Sequence, residues 1–257
     1  MKYTEDQLNQ INNYFFGIPK IYADIVEKIC SKEKIVKNNK AREYLIHGVN
    51  RRINILNQCI ENIFEIYPPD RNTLLGLSNV TTICINLHAF LINVYGIIEN
   101  LSLFIAYENN LFDPSISEKK QRNKMGLYKK DFYIKLNDNL KNHFSSEKSQ
   151  AWYNEYAKNY RDALAHRIPP YVPPMELSDE DIKMRNEIEE KINNYKADGT
   201  NYNELHEMLN KTWTIGSPAN YFLHSFSEKS KLVPIHIQII NDMITIKEMI
   251  FIVLDNI

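Results

Sequence analysis

Two side chains five residues apart, Arg161 and His166, bring together the groups that phosphodiester chemistry uses. A guanidinium presents a fork of N–H donors that grips a phosphate and stabilises charge developing on it. An imidazole moves a proton near neutral pH. Both lie in the run Arg161-Asp162-Ala163-Leu164-Ala165-His166-Arg167-Ile168-Pro169-Pro170. On a helix Asp162 and His166 are one turn apart, so the carboxylate can sit beneath the imidazole and orient it. His166 falls in the last turn, where the free carbonyl ends favour a cation. Spacing alone does not single this pair out, because Arg42 and His47 repeat it.

Other residues compete for a role. His88, Tyr95, Glu99 and Ser102 fall on one stripe of an apolar helix. A carboxylate there is costly unless paired, so Glu99 either orients Arg161 near a scissile phosphate or closes a structural ion pair. Asn86, Asn93 and Asn100 form a second stripe at seven-residue spacing, suited to hydrogen bonds between helices. The basic run Lys119, Lys120, Arg122, Lys124, Lys129 and Lys130 is interleaved with Tyr128 and Phe132. It reads either as a solvated loop or as a contact for an RNA backbone, where cations and stacking aromatics cooperate. His224 and His236 have no HExxH or HxH pattern around them, and Asp242 and Gln238 read as a capped surface. Neither a metal site nor a cofactor is expected, since no GxGxxG or Walker-type loop is present.

The elements that must position these groups are helices. Apolar residues recur at helical spacing almost throughout, predicting helices over residues 4–30 (bent near Gly17-Ile18-Pro19), 38–66, 80–107, 147–166, 178–195, 201–211 and 234–254. On helix 147–166, Tyr153, Ala157, Tyr160 and Leu164 make the core stripe. Ala163 and Ala165 leave room for a second helix to approach. Ile168–Pro174 must be extended, because each proline disfavours helix in the residue before it. Residues 116–150 should hold at most short helices, Asp198-Gly199 marks a turn, and 213–232 is the least readable stretch, open to a short hairpin. The expectation is an all-α chain forming one domain over 1–257.

Composition sets the outer bounds. A formal charge of -1 over 257 residues argues against a globally basic nucleic-acid coat, so any RNA contact must be local. Seven glycines are too few for a turn-dense β-sandwich. Three scattered cysteines form neither a disulfide framework nor a zinc knuckle. The first residues lack the pattern of a secretory signal. The most apolar stretches, around Ala89–Ile98 and Ile246–Leu254, read as too short or interrupted to span a bilayer. A cytoplasmic protein without membrane attachment is expected.

Beyond spacing, the segment Arg161–Pro174, RDALAHRIPPYVPP, resembles the signature of a branch of HEPN-superfamily proteins. That signature is Arg, then Asn, Asp or His, a short spacer, and His at a helix end. Arg161, Asp162 and His166 match it, whereas the Arg42/His47 copy has Glu43 at the polar position and no Pro-rich continuation. The stretches 88–108 (HAFLINVYGIIENLSLFIAYE) and 223–242 (LHSFSEKSKLVPIHIQIIND) are similar to the same branch. The resemblance implies a HEPN-like helical bundle with a core at about 78–257 and additional N-terminal helices over about 1–77. It implies a homodimer that joins two Arg/His motifs, and a metal-independent endoribonuclease in a toxin or phage-defence role, with an antitoxin protein as a further partner. In that mechanism Arg161, His166 and Asp162 are catalytic, with Glu99, Tyr95 and His88 behind them and Arg167, Lys129 and Lys130 as RNA contacts. Some members of the superfamily have lost catalysis and serve as modules that bind RNA, nucleotide or protein.

Overall fold

The computed structural model describes residues 2–198, 202–225, 227–228 and 230–257, and these form an all-α fold. Helix α1 (Glu5–Glu33) starts at a capping box, with Thr4 Oγ1 accepting from Gln7 N and Gln7 Oε1 accepting from Thr4 N. It runs to Glu33 as one helix, with Pro19 inside it. Pro19 is exposed, so the carbonyl that its missing N–H leaves unpaired can be met by water. The second expected helix divides into α2 (Asn39–Glu43), a π-helical segment Tyr44–Asn50, and α3 (Arg51–Ile66).

At the centre is α4 (Leu77–Glu108), which is apolar on nearly every face and packs against α3, α12 (Ile235–Asp255) and the motif helix α9 (Lys158–His166). By length and composition α4 could cross a membrane, whereas the sequence around Ala89–Ile98 reads as too short or interrupted to do so. Two thirds of its most apolar window (67%) is instead buried within the bundle. One face meets α3, where Asn62 donates to Asn86 Oδ1 and Arg52 to Asn93 Oδ1, each at 2.8 Å. Asn86 and Asn93 thus join helices, as the stripe's spacing predicts, whereas the Asn100 amide makes no hydrogen bond among the described residues.

Residues 116–150 contribute the short helices α5 (Glu118–Arg122), α6 (Lys130–Tyr133), α7 (Asp138–Ser145) and α8 (Glu147–Ala151). A second π-helical segment, Trp152–Ala157, leads from α8 into α9. Tyr153, Ala157 and Tyr160 are buried as expected, but Ala163 takes the next core position and Leu164 is only half-buried. Ala163 therefore packs inside this chain and is not open to a second copy.

After α9 the chain is extended. Tyr171 and Leu223 exchange backbone hydrogen bonds (2.9 and 3.1 Å), as do Glu176 and Ser217 (2.8 and 2.9 Å). Between Glu176 and Ser217 lie helices α10 (Asp179–Asp198) and α11 (Tyr202–Thr212). The expected turn at Asp198-Gly199 runs into residues outside those described. The hairpin suspected within 213–232 becomes a two-residue pairing of β1 (Tyr221–Phe222) with β2 (Val233–Pro234), which feeds directly into α12.

Two polar groups sit wholly inside this core. His236 Nε2 lies 2.6 Å from the Tyr67 carbonyl, to which it donates, and its Nδ1 lies 3.2 Å from Tyr3 Oη, a hydroxyl that also donates to the Asn220 carbonyl at 3.2 Å. Phe64 and Tyr67 pack around the ring. Asp242 is fully buried, not on a capped surface. Its carboxylate accepts from Trp152 Nε1 (3.0 Å), Tyr156 Oη (2.6 Å) and Gln238 Nε2 (2.8 Å).

Candidate active site

At the C-terminal end of α9, Arg161, Asp162, His166 and Arg167 line an open surface depression of about 480 Å³ together with Asn154, Lys158 and Asn159. The helix carries the first three on neighbouring turns of its solvent side, while Tyr160 and Ala163 hold the opposite side in the core. His166 is exposed and makes no hydrogen bond or ion pair among the described residues, so both ring nitrogens are open to a ligand.

Arg161 is held from beneath. Its guanidinium carbon lies 4.0 Å from the centroid of the Tyr95 ring. That ring in turn lies beside Tyr153, with hydroxyls 3.3 Å apart, and Tyr153 stacks on Tyr128 at 4.1 Å. The result is an aromatic column with a cation at its outer end. Burial works against the charge on Arg161, but Tyr95, Asp162 and Glu99 outweigh it and hold the guanidinium above its ordinary value. Arg161 Nη1 lies 3.1 Å from Asp162 Oδ1, and its shielded Nε makes no hydrogen bond among the described residues.

Asp162 does not take the role its spacing suggested. Its ion pairs go to Lys158 (3.2 Å) and Arg161, so it restrains the arginine, not the imidazole. Lys158 is four residues earlier on the same helix, and an ammonium there competes effectively for the carboxylate. Glu99 is half-buried and acts on Arg161 and Tyr153 through its charge, with no hydrogen bond to either. His88 serves the scaffold: its Nε2 lies 2.5 Å from the Pro170 carbonyl and pins the extended segment that follows the motif.

The expected RNA contacts divide. Arg167 is spent internally, donating to the Asn159 carbonyl (2.8 Å), to Asn159 Oδ1 (2.6 Å) and to Glu228 Oε2 (2.8 Å). Lys129 donates to the Asn123 carbonyl at 2.6 Å, while Lys130 is exposed with no partner among the described residues. Neither lysine lines the Arg161/His166 depression.

Arg167 also borders a second cavity, of about 570 Å³, which the sequence reading did not foresee. Trp152, Tyr156, Glu228, Lys231 and the buried His224 contribute to its walls. Burial, then the adjacent Arg167, push the His224 imidazole below its ordinary value against the pull of Glu228. These contacts join residues some 60 positions apart, a separation for which no spacing rule gives a signal.

Among the described residues no three His, Cys, Asp or Glu side chains are grouped as metal ligands would be. Comparison with protein-family models, with curated proteins and with solved structures finds no match to the chain.

Tyr95 offers a direct check on how Arg161 is held. Tyr95→Phe keeps the ring beneath the guanidinium, whereas Tyr95→Leu removes it, a loss of roughly 0.5–2 kcal/mol. Leu should therefore lower the melting temperature more than Phe does, and an Arg161→Ala background should erase most of that difference. Equal effects in both backgrounds would show that the stacking contributes nothing.

Proposed function

We propose that the chain is a HEPN-type endoribonuclease that cleaves RNA without a metal ion. The observation that carries this reading is that the half-buried Arg161 and the exposed His166 line one open depression, with the arginine braced and the histidine unengaged. In the reaction, a ribose 2′-OH loses its proton to a base as its oxygen attacks the adjacent phosphorus. The bond from phosphorus to the 5′-oxygen then breaks, and an acid protonates the leaving oxygen. The products are a 2′,3′-cyclic phosphate and a free 5′-OH. His166 serves as base or acid, Arg161 grips the phosphate, and Asp162 holds Arg161 in register.

A single motif supplies one histidine, whereas in-line displacement is better served by two proton-transfer groups. A homodimer whose two-fold axis passes beside the depression places two copies face to face. With Ala163 buried, the approach would rest on exposed Ala165 and His166. The proposed setting is a cytoplasmic toxin or phage-defence protein, restrained by an antitoxin partner.

Purified protein incubated with total RNA in EDTA should yield fragments ending in 2′,3′-cyclic phosphate or its hydrolysis product, and should leave DNA intact. Light scattering should report twice the 30.3 kDa chain mass. Cleavage that requires a divalent ion would refute this chemistry. One observation favours a second reading, a non-catalytic module that binds RNA, nucleotide or protein. With Asp162 committed to Lys158 and Arg161, nothing among the described residues orients the imidazole. Binding of RNA with intact strands after prolonged incubation would support that alternative.

A further inference from the structure

On the other side of α4, an open concavity of about 580 Å³ lies between that helix and the segment formed by α2, the π-helical turn and α3. Four basic side chains line it, Lys40, Arg51, Arg52 and Arg122, with His47 among them and Glu43 as the one lining carboxylate. Acids slightly outnumber bases in the whole chain (32 against 31), so this concentration of positive charge is local. Lys40 and Arg122 share a counter-charge just beyond the lining, both donating to Glu118 at 2.7 Å. Arg51 and Arg52 have none. Among the described residues, Arg51 makes no hydrogen bond or ion pair, and Arg52 bonds only the neutral Asn93 Oδ1.

Arg52 is the informative member. It is half-buried, and its guanidinium lies against the backbone of α4 where Gly96 leaves space; a β-carbon at 96 would collide with its Cζ. Burial pushes this guanidinium below its ordinary value. A cation withdrawn from water is costly unless something pays it back in charge, and no carboxylate of the described chain does so. Facing it, Gly48 in the π-helical turn makes room for Asn100, whose amide makes no hydrogen bond among the described residues. Such turns widen the helix by one residue and recur where side chains converge on a ligand. Two guanidinium forks with no carboxylate partner among the described residues, and the amide of Asn100, match the oxygens of a phosphate, which accept bidentate donation.

We propose that this concavity binds a small phosphate-bearing anion with two or more negative charges. Asn93 and Asn100 lie on the side of α4 away from Tyr95 and Glu99, so the site is separate from the Arg161/His166 depression and does not rest on the nuclease reading.

Calorimetric titration of the full chain at low salt, with tripolyphosphate and inorganic phosphate as probes and chloride at matched ionic strength as control, tests the proposal. Tripolyphosphate should bind saturably, one per chain, and more tightly than inorganic phosphate. Arg51→Ala and Arg52→Gln should each weaken it about tenfold or more. Glu43→Gln should tighten it, and Arg161→Ala should leave it unchanged. Arg51 is exposed and its side chain makes no hydrogen bond or ion pair among the described residues, so its variant tests the site even if Arg52→Gln disturbs packing. Undetectable binding, or equal affinity in wild type and Arg51→Ala, would overturn the proposal. So would loss of binding in Arg161→Ala alone, which would place the anion at the motif. A single-stranded RNA that loses affinity in Arg51→Ala while tripolyphosphate fails to bind would also overturn it, in favour of an RNA contact.

Discussion

His166→Ala and Arg161→Ala are each expected to lower the rate of RNA cleavage by roughly two orders of magnitude or more. The two losses differ in what else they disturb. His166 is exposed and unpartnered, so its removal should leave the melting temperature unchanged within error. Arg161 gives up its place over Tyr95 and its pairing with Asp162, so a stability loss of roughly 0.5–2 kcal/mol should accompany its catalytic one. Arg161→Lys separates the effects: charge is kept, but the planar fork is lost, and activity should recover only in part. Subunit mixing adds a check on the shared cleft. After exchange, excess His166→Ala chain should depress wild-type activity more steeply than dilution does. Cleavage at the wild-type rate in either alanine variant would end the assignment.

The second large effect concerns stability against pH, set by two buried groups acting in opposite directions. Burial drives the His236 imidazole down to about 4 from 6.5, against the pull of its bond to Tyr67. Below pH 6.5 the unfolded chain therefore binds a proton that the folded chain refuses. Its contribution is full above 6.5 and is lost as pH falls toward 4. Burial lifts the Asp242 carboxyl to about 6 from 3.8, despite its three donors. Between those values the folded state holds a proton that the unfolded state has released. That contribution is full below 3.8 and is lost as pH rises through 6.

Between pH 4 and 6 the two nearly cancel, and single substitutions should expose each. Asp242→Asn leaves the histidine alone, and stability should fall by about 1.4 kcal/mol per pH unit as pH drops from 6.5 toward 4. In His236→Gln, where an amide can still meet Tyr67 and Tyr3, stability should instead fall as pH rises from 4 to 6. Denaturant titrations at half-unit steps would reveal the slopes. Parallel profiles in wild type and both variants would contradict the buried-group account.

Helices were legible because they announce themselves locally. Ile11, Ile18, Ile25 and Ile29 lie at intervals of seven and four, and all four are buried on α1. The same periodicity hid the two π-helical segments, since one extra residue in a turn leaves the composition unaltered. It also chose Leu164 for the core where the backbone put Ala163. At the site, the Arg161/His166 pair and the stripe containing Tyr95 were readable, because each is a relation within one helix. What those side chains touch was not. Lys158 reaches Asp162 ahead of His166, and Arg167 is claimed by Glu228 some 60 residues away. Asp242 read as surface because its donors, Trp152 and Tyr156, come from a segment about 90 residues earlier.

The backbone pairing of Glu176 with Ser217 sets where this chain can tolerate a change of length. Everything between them, α10 and α11 included, departs from and returns to a single spot, since α-carbons in such a pair stand about 5.5 Å apart. A segment with coincident ends can be lengthened, exchanged or excised without rerouting the chain on either side. The Tyr171–Leu223 pairing closes the loop outside that segment and does not depend on it for its own two hydrogen bonds.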